Sequence, residues 1–425
     1  MRAVASCFVV LAAFHMLAGC TTNELTVGEP GTLVRTEPIL MGPICANGGT
    51  AILTGVDDDR DTYLDEEEVS STQTLCNGAA PVQCQGGVSL PGPVIVQTDA
   101  DLTQLEGVHC VDGDLLVSGV VATDLHNLAN LNVVTGDFVL VANPALTSLA
   151  GLGQLKIVGG TFLIQGNEAL VDLSGIGAFR MTSLLSIVGN NALPSLHGLE
   201  EVSELGGIQI TNNQALESLQ GFAKLTVCKP GNVSIRANGA LVTTDGLAAL
   251  REAVLIEVSG NRALKKATFQ GLQRLTSRLI FNDDVALSAV EMPSLVAVGG
   301  FIQMNNNGAL TSLSLPVLNT AAGLLMNGNN GLTSVTLPKL IFLTGNLDLR
   351  VLAALTTIDL PQLISVGGDT TFDTLAQLAG LSGLAELRSV GGNLTISNNG
   401  ITTAVAQQFS DQISVGGTIT IRNNR

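Results

Sequence analysis

The sequence predicts a β-solenoid, and three observations carry the prediction: a period of about 23 residues, an alternating apolar segment once per period, and a composition suited to a narrow aliphatic core. The period shows in VANPALTSL (141–149), QGNEALVDL (165–173), TNNQALESL (211–219) and NNNGALTSL (305–313). The leucine three places after the asparagine recurs at Leu146, Leu170, Leu193, Leu216, Leu241, Leu264, Leu287, Leu310, Leu332, Leu355 and Leu378, and Ile401 closes the series. So regular a spacing means that each unit buries its apolar face only by stacking on its neighbours. Before the asparagine the chain alternates: Phe138 and Leu140, Phe162 and Ile164, Ile208 and Ile210, and Ile302 and Met304 point one way, the period of a strand with one buried face. Trp is absent, Tyr occurs once and charged residues are 13%, as stacked Leu, Ile and Val require.

Taken in order, residues 1–20 read as an export signal. Arg2 is followed by a mostly apolar run to Leu17 and by Leu17-Ala18-Gly19-Cys20, a run too short for a membrane span. That ending resembles the lipobox of bacterial lipoproteins. The resemblance implies a lipid on Cys20 and, with Thr21 following, an outer-membrane location. Residues 21–43, rich in Thr, Glu, Pro and Gly without apolar periodicity, read as a flexible tether.

Residues 44–79 read as a small acidic module bracketed by cysteines. Between 57 and 68 lie eight acids and one Arg. Asp57, Asp59, Asp61, Tyr63, Asp65 and Glu68 fall at positions 1, 3, 5, 7, 9 and 12 of a calcium loop, where alternate oxygens and a terminal Glu wrap a hard cation. Thr62 replaces the usual turn glycine, and TAILTGV ahead of the loop reads as a strand and not a helix. Two readings stand, a calcium site and a solvated acidic turn; no other cofactor is required. With CxNGG at its start and LCNG at its end, the segment also resembles small Cys-bracketed modules of bacterial surface proteins.

Export makes disulfides available. With Cys7 in the signal and Cys20 as lipid site, the economical pairing is Cys45 with Cys76 and Cys84 with Cys110, one of three combinations. Cys228 falls where other coils have an inward Val and reads as a buried small hydrophobe.

Residues 80–425 read as the solenoid, a dozen or more coils of LxxLxGLxxLxxVGGxLxIxxNxA. Few coils have room for helix; 246–255 and 402–412 are the candidates. Asn143, Asn167, Asn190, Asn213, Asn238, Asn261, Asn307 and Asn329 form a column at the strand's end, with Asp284 in the same place. Amides there can satisfy the backbone groups that a turn points inward, so the column reads as a structural ladder. It lapses at Leu352 and Leu375, which predicts differently shaped turns, and returns at Asn398 or Asn399. The rhythm of residues 128–170 is similar to that of the receptor L-domain family, leucine-rich modules of receptor ectodomains. The resemblance implies a right-handed β-helix but, with no paired domains and no Cys-rich spacer, not a receptor's role.

A net charge of −17 argues against nucleic acid as a partner. No HExxH, GxSxG or P-loop is present, and His109, His126 and His197 each sit alone in the sequence. The expectation is a non-enzymatic, lipid-anchored envelope protein that binds an unidentified protein or glycan. The alternatives are a structural spacer and a polysaccharide lyase or hydrolase, for which Asn346, Asp348, Arg350, Asp369, Thr371 and Asp373 on adjacent coils would be the cluster.

Overall fold

The structure, a computed structural model, describes residues 83–84, 86–176, 179 and 183–425, and the backbone of 32–39, 49–56 and 69–76. Cys20, Cys45 and the acidic segment 57–68 lie outside the described residues. The described residues through Leu170, with Ser174–Asn190, belong to one compact unit; Val171–Leu173 and Asn191–Arg425 form another.

The first unit opens with an antiparallel sheet of β1 (Thr32–Ile39), β2 (Gly49–Val56) and β3 (Val69–Cys76), in that order. This corrects the expected boundary at residue 44. β1 lies inside the stretch read as tether and pairs along its whole length with β2, from Thr32 opposite Val56 to Ile39 opposite Gly49. Its alternation, TLVRTEPI, is interrupted by charge and proline, which hid a strand whose pairing is supplied by its neighbour. The acidic segment is therefore the connection from β2 to β3.

The rest of the first unit is a stack of parallel coils. Val94–Val96, Leu115–Ser118, Phe138–Val141, Thr161–Gln165 and Leu184–Val188 pair in register, each with the corresponding strand of the next coil. A second parallel sheet stacks Val88–Pro91, Val108–Asp112, Val133–Val134 and Ile157–Val158. A disulfide joins Cys84 to Cys110, tying the chain before the first coil's strand to the next coil. Phe138 and Phe162 stack face to face in the core at 4.9 Å, with Phe179 edge-on to Phe162.

The second unit repeats the plan. Its main sheet runs through ten strands, from Ile208–Thr211 by way of Val233–Arg236, Ile256–Ser259 and Leu279–Asn282 to Ile419–Arg422, all parallel and each one coil from the last. Two-residue strands such as Val227–Cys228 and Glu252–Ala253 make a second wall. Both units are β-solenoids, as the period requires. The core is the inward half of the alternation, such as Phe138, Leu140, Phe162, Ile164 and Ile210, together with the leucines after the asparagine: Leu146, Leu170, Leu216, Leu241 and Leu264 are wholly buried. Cys228 sits among them, unpaired, and burial pushes its thiol up to about 12, so it stays protonated and inert.

Helix is scarce. The segment 402–412 forms Thr403–Asp411, capped by the Thr402 hydroxyl accepting from the Val405 amide. Within 246–255 there is only a 3-10 turn, Asp245–Leu247. The same single turn recurs at Gln220–Phe222 and Ser382–Leu384. There a small residue lets the corner pack on the coil before: a Cβ on Gly246 would lie 1.8 Å from the Leu219 carbonyl oxygen.

The asparagine column is a hydrogen-bonded ladder. The Asn167 amide oxygen accepts from both the backbone and the side-chain nitrogen of Asn143 at 3.0 Å, while Asn167 Nδ2 donates to the Leu140 carbonyl. In the second unit Asn213, Asn238, Asn261, Asp284, Asn307 and Asn329 repeat the scheme with full burial. The residue ahead of each is in the left-handed region: Ala142 at φ 52°, Ala237 at 53°, Asn306 at 58°. Leu352 and Leu375 do not reshape the turn, contrary to expectation. Val351 and Thr374 keep φ at 50° and 59°, and Leu352 is wholly buried where the asparagine would be. The backbone sets the turn, and the column residue fills or ties its interior. The ladder resumes at Asn399, which accepts from the Leu375 amide, and continues to Asn424.

Candidate functional site

Once the inward residues are assigned to core and ladder, the outward positions of the main sheet remain. In the second unit they form two rows. One runs Gln209, Ser234, Glu257, Ile280, Gln303, Leu325, Asp348, Thr371, Thr395, Thr420; the other Thr211, Arg236, Ser259, Asn282, Asn305, Asn327, Arg350, Asp373, Ser397, Arg422. Parallel pairing spaces successive members about 4.8 Å apart. Apart from Ile280 and Leu325 every side chain in these rows carries a donor or acceptor.

Most charges on this face are paired locally. Arg350 Nε donates to Asp348 Oδ1 at 2.6 Å along one strand, and Arg236 meets Glu257 at 3.4 Å across coils. Asp373, opposite Arg350 in the next coil, accepts from Ser397 Oγ at 2.5 Å, Asn398 Nδ2 at 2.8 Å and Thr374 Oγ1 at 3.2 Å. Partial burial would raise its carboxyl, but those hydrogen bonds and the Arg350 charge outweigh it and hold Asp373 below the usual carboxylate range. Asp373 is thus held in place as an anion.

Of the six residues expected as one outward cluster, two are elsewhere. Asn346 and Asp369 sit at the corner before the strand. There Asn346 Oδ1 accepts from the Asp369 amide at 2.9 Å, Asp369 Oδ1 from the Asn393 amide at 2.7 Å, and Asn393 Oδ1 from the Thr418 amide at 2.9 Å. This is a second ladder, which the alternation pattern assigns to the wrong face because the strand begins one residue after it. The first unit has it too. Asp114 accepts from the Asp137 amide, and Asp137 from the Thr161 amide. Burial, with Asp114 adding to it, lifts the Asp137 carboxyl to about 6 against the pull of the Thr161 amide. The signal that would have revealed it is the double glycine one coil later. A Cβ on Gly160 would lie 2.0 Å from Asp137 Oδ1, and one on Gly368 2.1 Å from Asn346 Oδ1. The corner glycines make room for the preceding coil's side chain.

The histidines are dispersed over separate coils, and two have a local partner. His126 Nδ1 contacts Asp124 at 2.8 Å and His197 Nδ1 contacts Glu200 at 2.6 Å, both exposed, while His109 Nδ1 faces the Val88 amide. Among the described residues no group of three or more His, Cys, Asp or Glu could hold a metal ion. The calcium ligands expected at 57–68 and the Cys45–Cys76 pair lie outside the described residues. No described helix is long and apolar enough to cross a membrane.

Fold and face together define a leucine-rich β-solenoid protein. Residues 32–76 match a family described as a domain of unknown function (DUF7151), which covers β1 to β3 and the acidic connection. Among solved structures, the chain is similar to a leucine-rich repeat protein from Bacteroides ovatus ATCC 8483. The two share 11% identity over 77% of this chain and 91% of that one, with a TM-score of 0.18. A TLR13–ssRNA13 complex aligns at 11% identity over 74% and 75% of the two chains, with a TM-score of 0.12. No curated protein matches the chain.

Proposed function

We propose that this chain is a non-catalytic recognition scaffold of the bacterial cell envelope, held to the membrane by lipid on Cys20, whose ligand-binding surface is the outward main-sheet face of the second unit. One observation carries the reading. The fold's needs are met by inward residues and by the two ladders, yet over ten consecutive coils the outward rows are polar at every position but Ile280 and Leu325, with Asn282, Asn305 and Asn327 in one column. A face of amides, hydroxyls and paired charges supplies directional hydrogen bonds at a repeat of about 4.8 Å, suited to an extended protein segment or glycan lying along the stack.

The test is binding of the purified exported chain to arrays of envelope glycans and proteins. A saturable ligand whose affinity falls at least tenfold in the Gln303→Ala/Asn305→Ala double variant supports the reading. A ligand indifferent to that variant and to Arg350→Ala, or no ligand across the arrays, sinks it. Labelling with a radioactive fatty acid that is lost in Cys20→Ser checks the anchor, and calorimetry with millimolar calcium on the whole chain and on Asp57→Asn/Asp59→Asn separates a calcium site from a solvated turn.

A further inference from the structure

The outward face of the first unit has a different chemistry. Its main-sheet positions carry Ile95, Leu116, Val139, Val141, Leu163 and Val188, with Ser118, Gln165 and Ser186 as the polar members. Leu116, Val139 and Val141 form one buried apolar cluster with Leu163 packed beside it. Val139 is 1% exposed, Val141 6%, Val188 7% and Leu116 9%. In the second unit the outward side chains buried between flanking strands are the small Ser234, Thr371 and Ser397, whereas the larger apolar Ile280 and Leu325, also with a strand on each side, remain half-buried. Buried valines on the outside of a coil stack need a cover.

We propose that the three-stranded module, β1 to β3, is that cover, seated on the apolar outer face of the first coils. Three facts fix the occupant. The module belongs to the same compact unit as these coils. Only seven residues, 77–83, separate Cys76 from Cys84, and the eight steps between the two cysteines, at about 3.5 Å each, span at most about 28 Å, so the module is confined to the stack's beginning. The sizes also agree. Five stacked strands measure about 20 Å across, and a strand of eight residues is about 27 Å long, enough to cross all five. Burying the four valine and leucine side chains stabilises the seat by roughly 1.5–3 kcal/mol each as an upper bound. The module thereby closes the first unit's face to ligands.

The experiment places a photo-crosslinking residue, benzoylphenylalanine, at Leu163 or at Ile95, which is 43% exposed at the rim of the patch, in the full exported chain. Gln303 is the control position. Irradiation should join positions 163 and 95 to peptides within residues 32–76 of the same chain, with no such product from position 303. Adducts to residues 21–31, to a second copy or to a different protein, or no adduct from either position while circular dichroism shows the fold intact, would overturn the proposal. Because Ile95 is a rim residue, its replacement tests the seat even where a probe at Leu163 perturbs packing.

Discussion

At the residue scale, Asp284 is the most informative position. It occupies the ladder column, and its Oδ1 accepts from the backbone and side chain of Asn261 as an asparagine's oxygen does. Its Oδ2, however, is buried without a hydrogen-bond partner, where Asn261 and Asn307 place an Nδ2 that donates to the carbonyls of Ile235 and Phe281. The carbonyl between those two in register is that of Val258. An ionised carboxylate there would set oxygen against oxygen, whereas a protonated one donates as the amide does. Burial lifts this carboxyl to about 7 despite the Asn261 hydrogen bonds, and Asp283 beside it adds to the rise. With the folded value above the unfolded one, the folded state holds the extra proton. Its stabilisation is complete below about pH 4 and is lost as pH rises through about 7. Asp284→Asn should therefore be the more stable chain at pH 8, and urea denaturation should show a flatter stability profile between pH 5 and 8. Val351 gives the opposite kind of prediction. A β-branched residue at φ 50° is strained, and Val351→Asn, which suits that region, should raise stability by about 1 kcal/mol in the same assay.

At the level of elements, what was legible in the sequence divides by mechanism. The main strands and the leucine positions were readable because burial imposes a period of two on the strand and of 23 on the chain. β1 was not, because its register partners lie between ten residues (Ile39 with Gly49) and twenty-four residues (Thr32 with Val56) away and antiparallel pairing leaves little local mark on TLVRTEPI. The corner ladder was misplaced for a related reason: Asn346 and Asp369 belong to a contact between coils, and only the glycine facing each one reports it. That pairing makes a quantitative prediction. Gly368→Ala should cost about 1–3 kcal/mol through the clash with Asn346 Oδ1, and less in an Asn346→Ala background. A double-mutant cycle by chemical denaturation measures the coupling, and additive effects would refute the contact. The outer-face cluster was half legible: Asp348, Arg350, Thr371 and Asp373 are where alternation put them, but their ion pair and hydrogen bonds depend on rotamers that no sequence pattern encodes.

For the molecule as a whole, the consequence of stacking is that stability is distributed coil by coil. Each coil touches chiefly its neighbours, so a core truncation should be felt locally. Leu349→Ala removes a wholly buried side chain between Met326 and Phe372 and should cost about 2–5 kcal/mol. Hydrogen exchange should quicken in Thr320–Asn327, Leu347–Arg350 and Thr370–Asp373 while Val94–Val96 and Leu115–Ser118 keep their wild-type protection. Uniform acceleration along the chain would mean a single cooperative unit instead.

The glycines and the acids and amides of the corner ladder also bear on how such a chain changes length. Where that ladder runs, the acid or amide of one coil fits the glycine of the next, so the two halves of each such joint are encoded about one repeat apart. A duplication of one whole repeat, cut at any phase, copies both halves and leaves every joint closed. An insertion of any other size within such a joint strands an acid or amide without its cavity or a glycine without its tenant. Growth or loss by complete turns is thus built into the joint itself, and the outward rows, which take no part in it, are free to diverge with each added turn.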